Sequence, residues 1–113
     1  MKIITDSITL AELKQMSAEP FGDMVKAVVD IDRALIAIDA ELHADLEAML
    51  LQNGSKQKNL WGINLYPEMH GDEFLEFDSM INMRPSHGNK SRGVDDENIR
   101  KQIKEIVLKR VAT

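Results

Sequence analysis

The chain reads as an α+β domain: one mainly antiparallel, four-stranded sheet with helices packed on a face, in the order α-ββ-α-ββ-α. Two segments read as β-hairpins, one β-branched around a polar centre and one alternating apolar with polar residues. Three further segments, before, between and after the hairpins, place apolar residues at helical spacing. Strands that come in pairs with short connections pair antiparallel, whereas a doubly wound parallel sheet needs single strands alternating with helices.

The first helix opens on a capping box in ITLAELKQMSAEPFG, where the Thr9 hydroxyl can accept from the Glu12 N–H and the Glu12 carboxylate reaches back to Thr9. It runs over 10–18, with Leu10, Leu13 and Met16 at helical spacing, until Pro20 and Gly22 stop it. MVKAVVDIDRALIAID then makes a hairpin with strands near 24–30 and 33–39, turning at Asp30 to Arg33. In DAELHADLEAMLLQNG the period changes: Leu42, Leu46, Met49 and Leu50 predict a helix with Asp39 as N-cap and Asn53-Gly54 as C-cap. A strand over 40–47 stays open at this point.

LWGINLYP alternates, with Trp61, Ile63 and Leu65 on one face and Gly62, Asn64 and Tyr66 on the other, and Pro67 ends it. FLEFDSMINM places Leu75, Phe77, Ser79, Ile81 and Met83 on one face, which makes a second hairpin across the turn EMHGDE. The last helix has Asp95, Asp96 and Glu97 at its positive end, a stripe of Ile99, Ile103, Ile106 and Val107, and Lys109 and Arg110 at its negative end.

A length of 113 residues predicts a single domain over 1–113 that buries roughly two-thirds of its unfolded surface. Apolar residues at 43% and charged residues at 29% argue against disorder and fibrous classes. The five aromatics are Phe21, Trp61, Tyr66, Phe74 and Phe77, so the core must be mostly aliphatic. With no cysteine there is no disulfide, no thiolate nucleophile and no thiolate-held metal, which suits a cytoplasmic protein. Neither the N-terminus MKIITDS nor any later apolar run predicts a signal or a membrane span.

Charge is uneven: residues 1–83 carry 6 basic and 15 acidic side chains, residues 84–113 carry 8 and 4. The acidic total and the lack of basic residues interleaved with aromatics predict no nucleic-acid partner. Gly-rich phosphate loops, nucleophile elbows and His-Glu-x-x-His helices are absent, and neither a metal nor a cofactor is expected.

Three groups of polar residues carry candidate chemistry. In DAELHADLE a helix puts Asp39, His43 and Glu47 on one stripe, while a strand puts His43, Asp45 and Glu47 on one face. Either could orient a general base or hold a cation, although a solvated i, i+4 pair looks the same in sequence. In RPSHGNKSR, Arg84 and Arg92 could grip a carboxylate or phosphate with Asn89 and Ser91 completing the donors, Pro85 and Gly88 shaping the turn. The bland rival is a loop that ties itself down, with Arg84 paired to an internal acid such as Asp78 or Asp95. Asn64 and Tyr66 share a strand face that could form a wall beside Asn82 or Arg84.

The segments HADLE at His43 to Glu47, NLWGINLYP at Asn59 to Pro67 and INMRPSHGNKS at Ile81 to Ser91 resemble a family of short bacterial and archaeal proteins of unknown function. The resemblance spans nearly the whole chain. It rests on the patterns HAD-x-E, DLWG-x-N-x-YP and IN-x-RP-x-x-GN-x-S, with Asn59 here replacing an acid and Asp39-Ala40 replacing a frequent glycine pair. It implies no activity, and it singles out His43, Asp45, Glu47, Asn64, Tyr66, Arg84, Asn89 and Ser91 as one pocket if the fold unites them.

The leading expectation is a binding module for an anionic small molecule or a partner carboxylate at Asn64, Tyr66, Arg84, Asn89, Ser91 and Arg92. The second is a small hydrolase or metal-dependent enzyme using His43 with Asp45 or Glu47 and Arg84. The third is a structural protein that dimerises through an uncovered sheet face.

Overall fold

A computed structural model of the chain describes residues 1–17 and 23–112. The expected helix stop at Pro20 and Gly22, and the aromatic Phe21, lie outside the described residues. The chain starts with β1 (Lys2–Ile4) and β2 (Ile8–Thr9), which lead into α1 (Leu10–Ser17). The capping box is present: the Glu12 N–H donates to Thr9 Oγ1 at 3.1 Å and the Thr9 N–H to Glu12 Oε1 at 3.4 Å.

The first hairpin is β3 (Val25–Asp30) and β4 (Leu35–Ile38). Asp30 closes it, accepting from the N–H groups of Asp32 and Arg33 at 2.9 and 3.0 Å. Next comes α2 (His43–Gln52), so residues 43–47 are helical. Its N-cap is Leu42, not Asp39 as expected, and no side chain caps it. Asp39 instead takes a φ of +75°, a left-handed turn that delays the helix by a full turn. Glycine suits that conformation best. The C-terminal end is as predicted, with Asn53 as C-cap and Gly54 at φ +103°.

β5 (Leu60–Leu65) and β6 (Leu75–Glu76) form the second hairpin, but β6 pairs only through Glu76 with Asn64 and Leu75 with Leu65. The predicted long strand over 74–83 is therefore corrected to a two-residue strand and a single 3-10 turn at Met80–Asn82. The Asn82 side chain, not a strand, occupies the backbone groups of Gly62 further along β5. Then α3 (Glu97–Arg110) follows, with Asp96 as N-cap accepting from Asn98 N–H at 2.7 Å, and β7 (Val111–Ala112) ends the described chain.

The main sheet has five strands in the order β1-β4-β3-β5-β6, every neighbouring pair antiparallel, while β2 and β7 form a separate parallel pair. Five strands replace the four expected. Helices also lie on both faces, not one: Ala27, Val29, Ile63 and Leu65 pack with Leu13 of α1 and Ile103 of α3, while Val28, Ala37 and Leu60 pack with Leu46 and Leu50 of α2. Burial along β3, β4 and β5, complete but for Lys26, is the reason, because strands largely apolar on both sides must be covered on both. The uncovered face on which a homodimer was expected is therefore absent from these central strands. No helix among the described residues is long and apolar enough to cross a membrane.

Candidate functional site

The donor-rich loop begins where Arg84 and Asn89 pair as an isolated antiparallel bridge, closed by Gly88 at φ +88°. Inside this bridge Asn89 is buried and fully engaged. Its Nδ2 donates to the carbonyls of Asn82, Gly93 and Ser91 at 2.7, 2.9 and 3.1 Å, and its Oδ1 accepts from the Asp95 N–H at 2.8 Å. Ser91 Oγ donates to Asp95 Oδ1 at 2.6 Å and accepts from the Gly93 N–H at 3.1 Å. The Ser91 hydroxyl and Lys90 N–H hold the Asp95 carboxyl below its ordinary range. Arg92 pairs with Asp78, Nε to Oδ1, at 2.7 Å. Much of the donor surplus thus holds the loop together.

Arg84 differs from the acid-paired alternative. Its Nε donates to Ile81 O at 3.2 Å, Nη1 to Gln57 O at 2.8 Å and Nη2 to Leu60 O, and the guanidinium lies 4.4 Å from the Trp61 ring centroid. No ion pair reaches it among the described residues, and burial pushes its pKa down while the Glu47 charge opposes that shift. Three of its five N–H groups are engaged, leaving one on each terminal nitrogen. Arg84, Trp61, Lys58, His87 and Asn89 line a cavity of about 560 Å³ beside the N-terminal turn of α3. The Trp61 indole N–H is buried without an acceptor among the described residues.

His43 lies elsewhere. It is the first residue of α2 and is 8% exposed, with Nε2 at 2.8 Å from Ile63 O. A carbonyl only accepts, so Nε2 carries the hydrogen and Nδ1 keeps its lone pair. Burial lowers the imidazole pKa, with Lys26 adding to the effect and the Ile63 carbonyl, Asn64 and Asp78 opposing it. His43, Asn64, Asp78, Lys26 and Arg92 line a second cavity of about 260 Å³. Asn64 donates to Glu76 Oε1 at 2.8 Å and to Asp78 O at 3.3 Å.

The expected single pocket is thus divided in two: Arg84 and Asn89 line one cavity, His43, Asn64 and Arg92 the other. Tyr66 lines neither; its hydroxyl donates to Glu76 at 2.9 Å, and burial with that carboxylate pushes its pKa up to about 12. Asp45 is exposed, and the half-buried Glu47, whose charge acts on Arg84 and whose Oε2 has no hydrogen-bond partner among the described residues, does not bond to His43, which is left without the carboxylate partners expected on its own helix. Among the described residues no three His, Cys, Asp or Glu side chains are grouped to hold a metal ion. Lys58 and His87 complete the larger cavity; sequence reasoning missed them as site residues because each sits in a polar connection that reads as a linker or turn.

Fold and cavities together define a small α+β protein with two separate cavities, each lined in part by polar side chains, beside an antiparallel sheet. The family model for proteins of unknown function DUF5674 matches residues 2–110, and the chain belongs to that family. No curated protein and no solved structure matches it.

Proposed function

We propose that the protein is a cytoplasmic binding module for a small anionic molecule, held in the Arg84 cavity. The observation that carries this reading is the Arg84 guanidinium: half buried, stacked on Trp61, and without an ion-pair partner among the described residues. A half-buried cation held by three carbonyls and the Trp61 face, with the Glu47 charge acting on it from beyond ion-pair distance, gains further from an anion that reaches its two remaining N–H groups. Lys58 adds positive charge and His87 a ring nitrogen at the rim, against the Asp96 carboxylate that also lines the cavity, while Ile99 offers an apolar wall for the rest of the ligand. Of the residues expected to bind, Arg84 keeps that role; Asn89 and Ser91 shape the loop, and Asn64, Tyr66 and Arg92 act away from this ligand.

Trp61 is the chain's single tryptophan, so its fluorescence reports on this cavity alone. Inorganic phosphate, nucleotides and small carboxylates are titrated against it, with thermal shift in parallel; a ligand at 100 times its Kd adds about 2.7 kcal/mol. Binding is expected to weaken in the Lys58→Gln/His87→Gln variant, whose changes lie on exposed side chains. An absence of response to every anion, or equal binding by that variant, would overturn the reading.

A further inference from the structure

We infer that the cavity beside His43 is a second binding site, for a small carboxylic acid that carries a hydroxyl or ammonium donor on the carbon next to its carboxylate. Two acceptors on its wall lack donors. The first is His43 Nδ1, left with its lone pair because Nε2–H is committed to Ile63 O at 2.8 Å. The second is Asn64 Oδ1: Asn64 is 4% exposed, its Nδ2 is oriented by two acceptors, and its Oδ1 makes no hydrogen bond of ordinary geometry among the described residues, the Asn64 side chain having only a minor interaction with the His43 ring. Leaving a buried carbonyl oxygen unpaired is unfavourable, and a ligand N–H or O–H relieves it.

The same cavity has a positive end. Leu42 provides no side-chain cap to α2, so the N–H groups of His43 and Ala44 have no partner in the helix, and Leu42, His43 and Ala44 all line the cavity. Lys26 and Arg92, the latter paired with Asp78, also line the cavity. A carboxylate at the helix end meets N–H donors and the favourable end of the helix dipole. Asp78, paired with Arg92, stays within the lining and suits an ammonium as well as a hydroxyl. A volume of about 260 Å³ admits a molecule of a few heavy atoms and excludes a nucleotide.

The test is NMR titration of the labelled protein, reading the His43 ring nitrogens and the Asn64 side-chain amide. Glycolate and glycine are compared with acetate, which has the carboxylate without the donor. Saturable shifts at His43 and Asn64, at least about tenfold tighter for glycolate or glycine than for acetate, are expected, since a site built to bond a hydroxyl or amine rejects the analogue lacking it. Leu42→Ser, which gives α2 a cap of its own, is expected to weaken that binding while raising Tm. Equal affinity for acetate would overturn the donor requirement, and no saturable shift up to about 10 mM would overturn the site. Shifts confined to Trp61 would also overturn it, leaving the Arg84 reading untouched.

Discussion

The side chain of Asn82 pairs with both backbone groups of Gly62: the Gly62 N–H donates to Oδ1 at 2.8 Å, and Nδ2 donates to Gly62 O at 2.9 Å. A carboxamide has the donor and acceptor of a peptide unit, so Asn82 takes the place of a strand residue beside β5 and also donates to Arg92 O at 2.9 Å. Asn82 is fully buried, so Asn82→Leu strands three backbone groups without water. The expected loss is about 2–5 kcal/mol, read as a lower urea midpoint with an unchanged slope.

Gly62 has no room for a side chain. A Cβ there would lie 2.5 Å from Ser79 Cβ and 2.6 Å from Ser79 Oγ. Both groups sit on short backbone ties, Ser79 N–H to Arg92 O at 2.9 Å among them, so neither can withdraw freely. Gly62→Ala should destabilise by about 1–3 kcal/mol. Adding Ser79→Gly should recover part of that loss in equilibrium unfolding, which a cause other than this contact would not allow.

Local features were legible in the sequence because their partners lie within a few residues. The Thr9–Glu12 box, the Asp30 turn and the Asn53-Gly54 end depend on spacings of two to four residues, and each formed, as did the acidic start of α3, where Asp96 proves to be the N-cap. The parallel pairing of β2 with β7 joins Ile8 to Val111 across the chain, and no local pattern marks either strand. The alternation of 74–83 was real in the sequence, yet the carboxamide of Asn82 displaced the strand it predicted. The candidate site divided for a similar reason: side chains alternate along β5, so Trp61 turns to the Arg84 cavity and Asn64 to that of His43.

Arg84 ties three stretches of backbone, at Gln57, Leu60 and Ile81, with a planar fork that a lysine ammonium cannot reproduce. Arg84→Lys keeps the charge but leaves part of this set unbonded, at an expected cost of about 1–3 kcal/mol. It also removes the guanidinium from the Trp61 face. A change in tryptophan emission should accompany the lower unfolding midpoint; unaltered emission and midpoint together would show that the fork holds nothing.

Leu42 is 56% exposed at the uncapped start of α2, so a capping residue there should stabilise. Leu42→Ser supplies an acceptor for the N–H groups of the first turn without disturbing either core cluster. The expected gain is about 0.5–2 kcal/mol by urea unfolding. A loss instead would mean that Leu42 contributes packing that its exposure conceals.

The buried imidazole of His43 makes stability depend on pH in a defined window. Burial, aided by Lys26, holds its folded pKa below the ordinary value of 6.5, against the opposing effects of the Ile63 carbonyl, Asn64 and Asp78. In the unfolded chain the ring takes up its proton as pH falls through 6.5, while in the folded protein it stays neutral until lower pH. The unfolded state then binds more protons, so stability falls as pH drops below 6.5 and stops falling once the folded ring is also protonated. Above 6.5 this group adds no pH dependence. Asp95 acts in a separate window: its lowered carboxyl pKa contributes above the ordinary 3.8 and is lost only at more acidic pH. Urea unfolding at pH 7.5 and at pH 5 should therefore show a loss in the native protein that shrinks in His43→Gln, whose amide can still donate to Ile63 O but does not titrate. An equal loss in both proteins would assign the effect to other groups and remove His43 from the account.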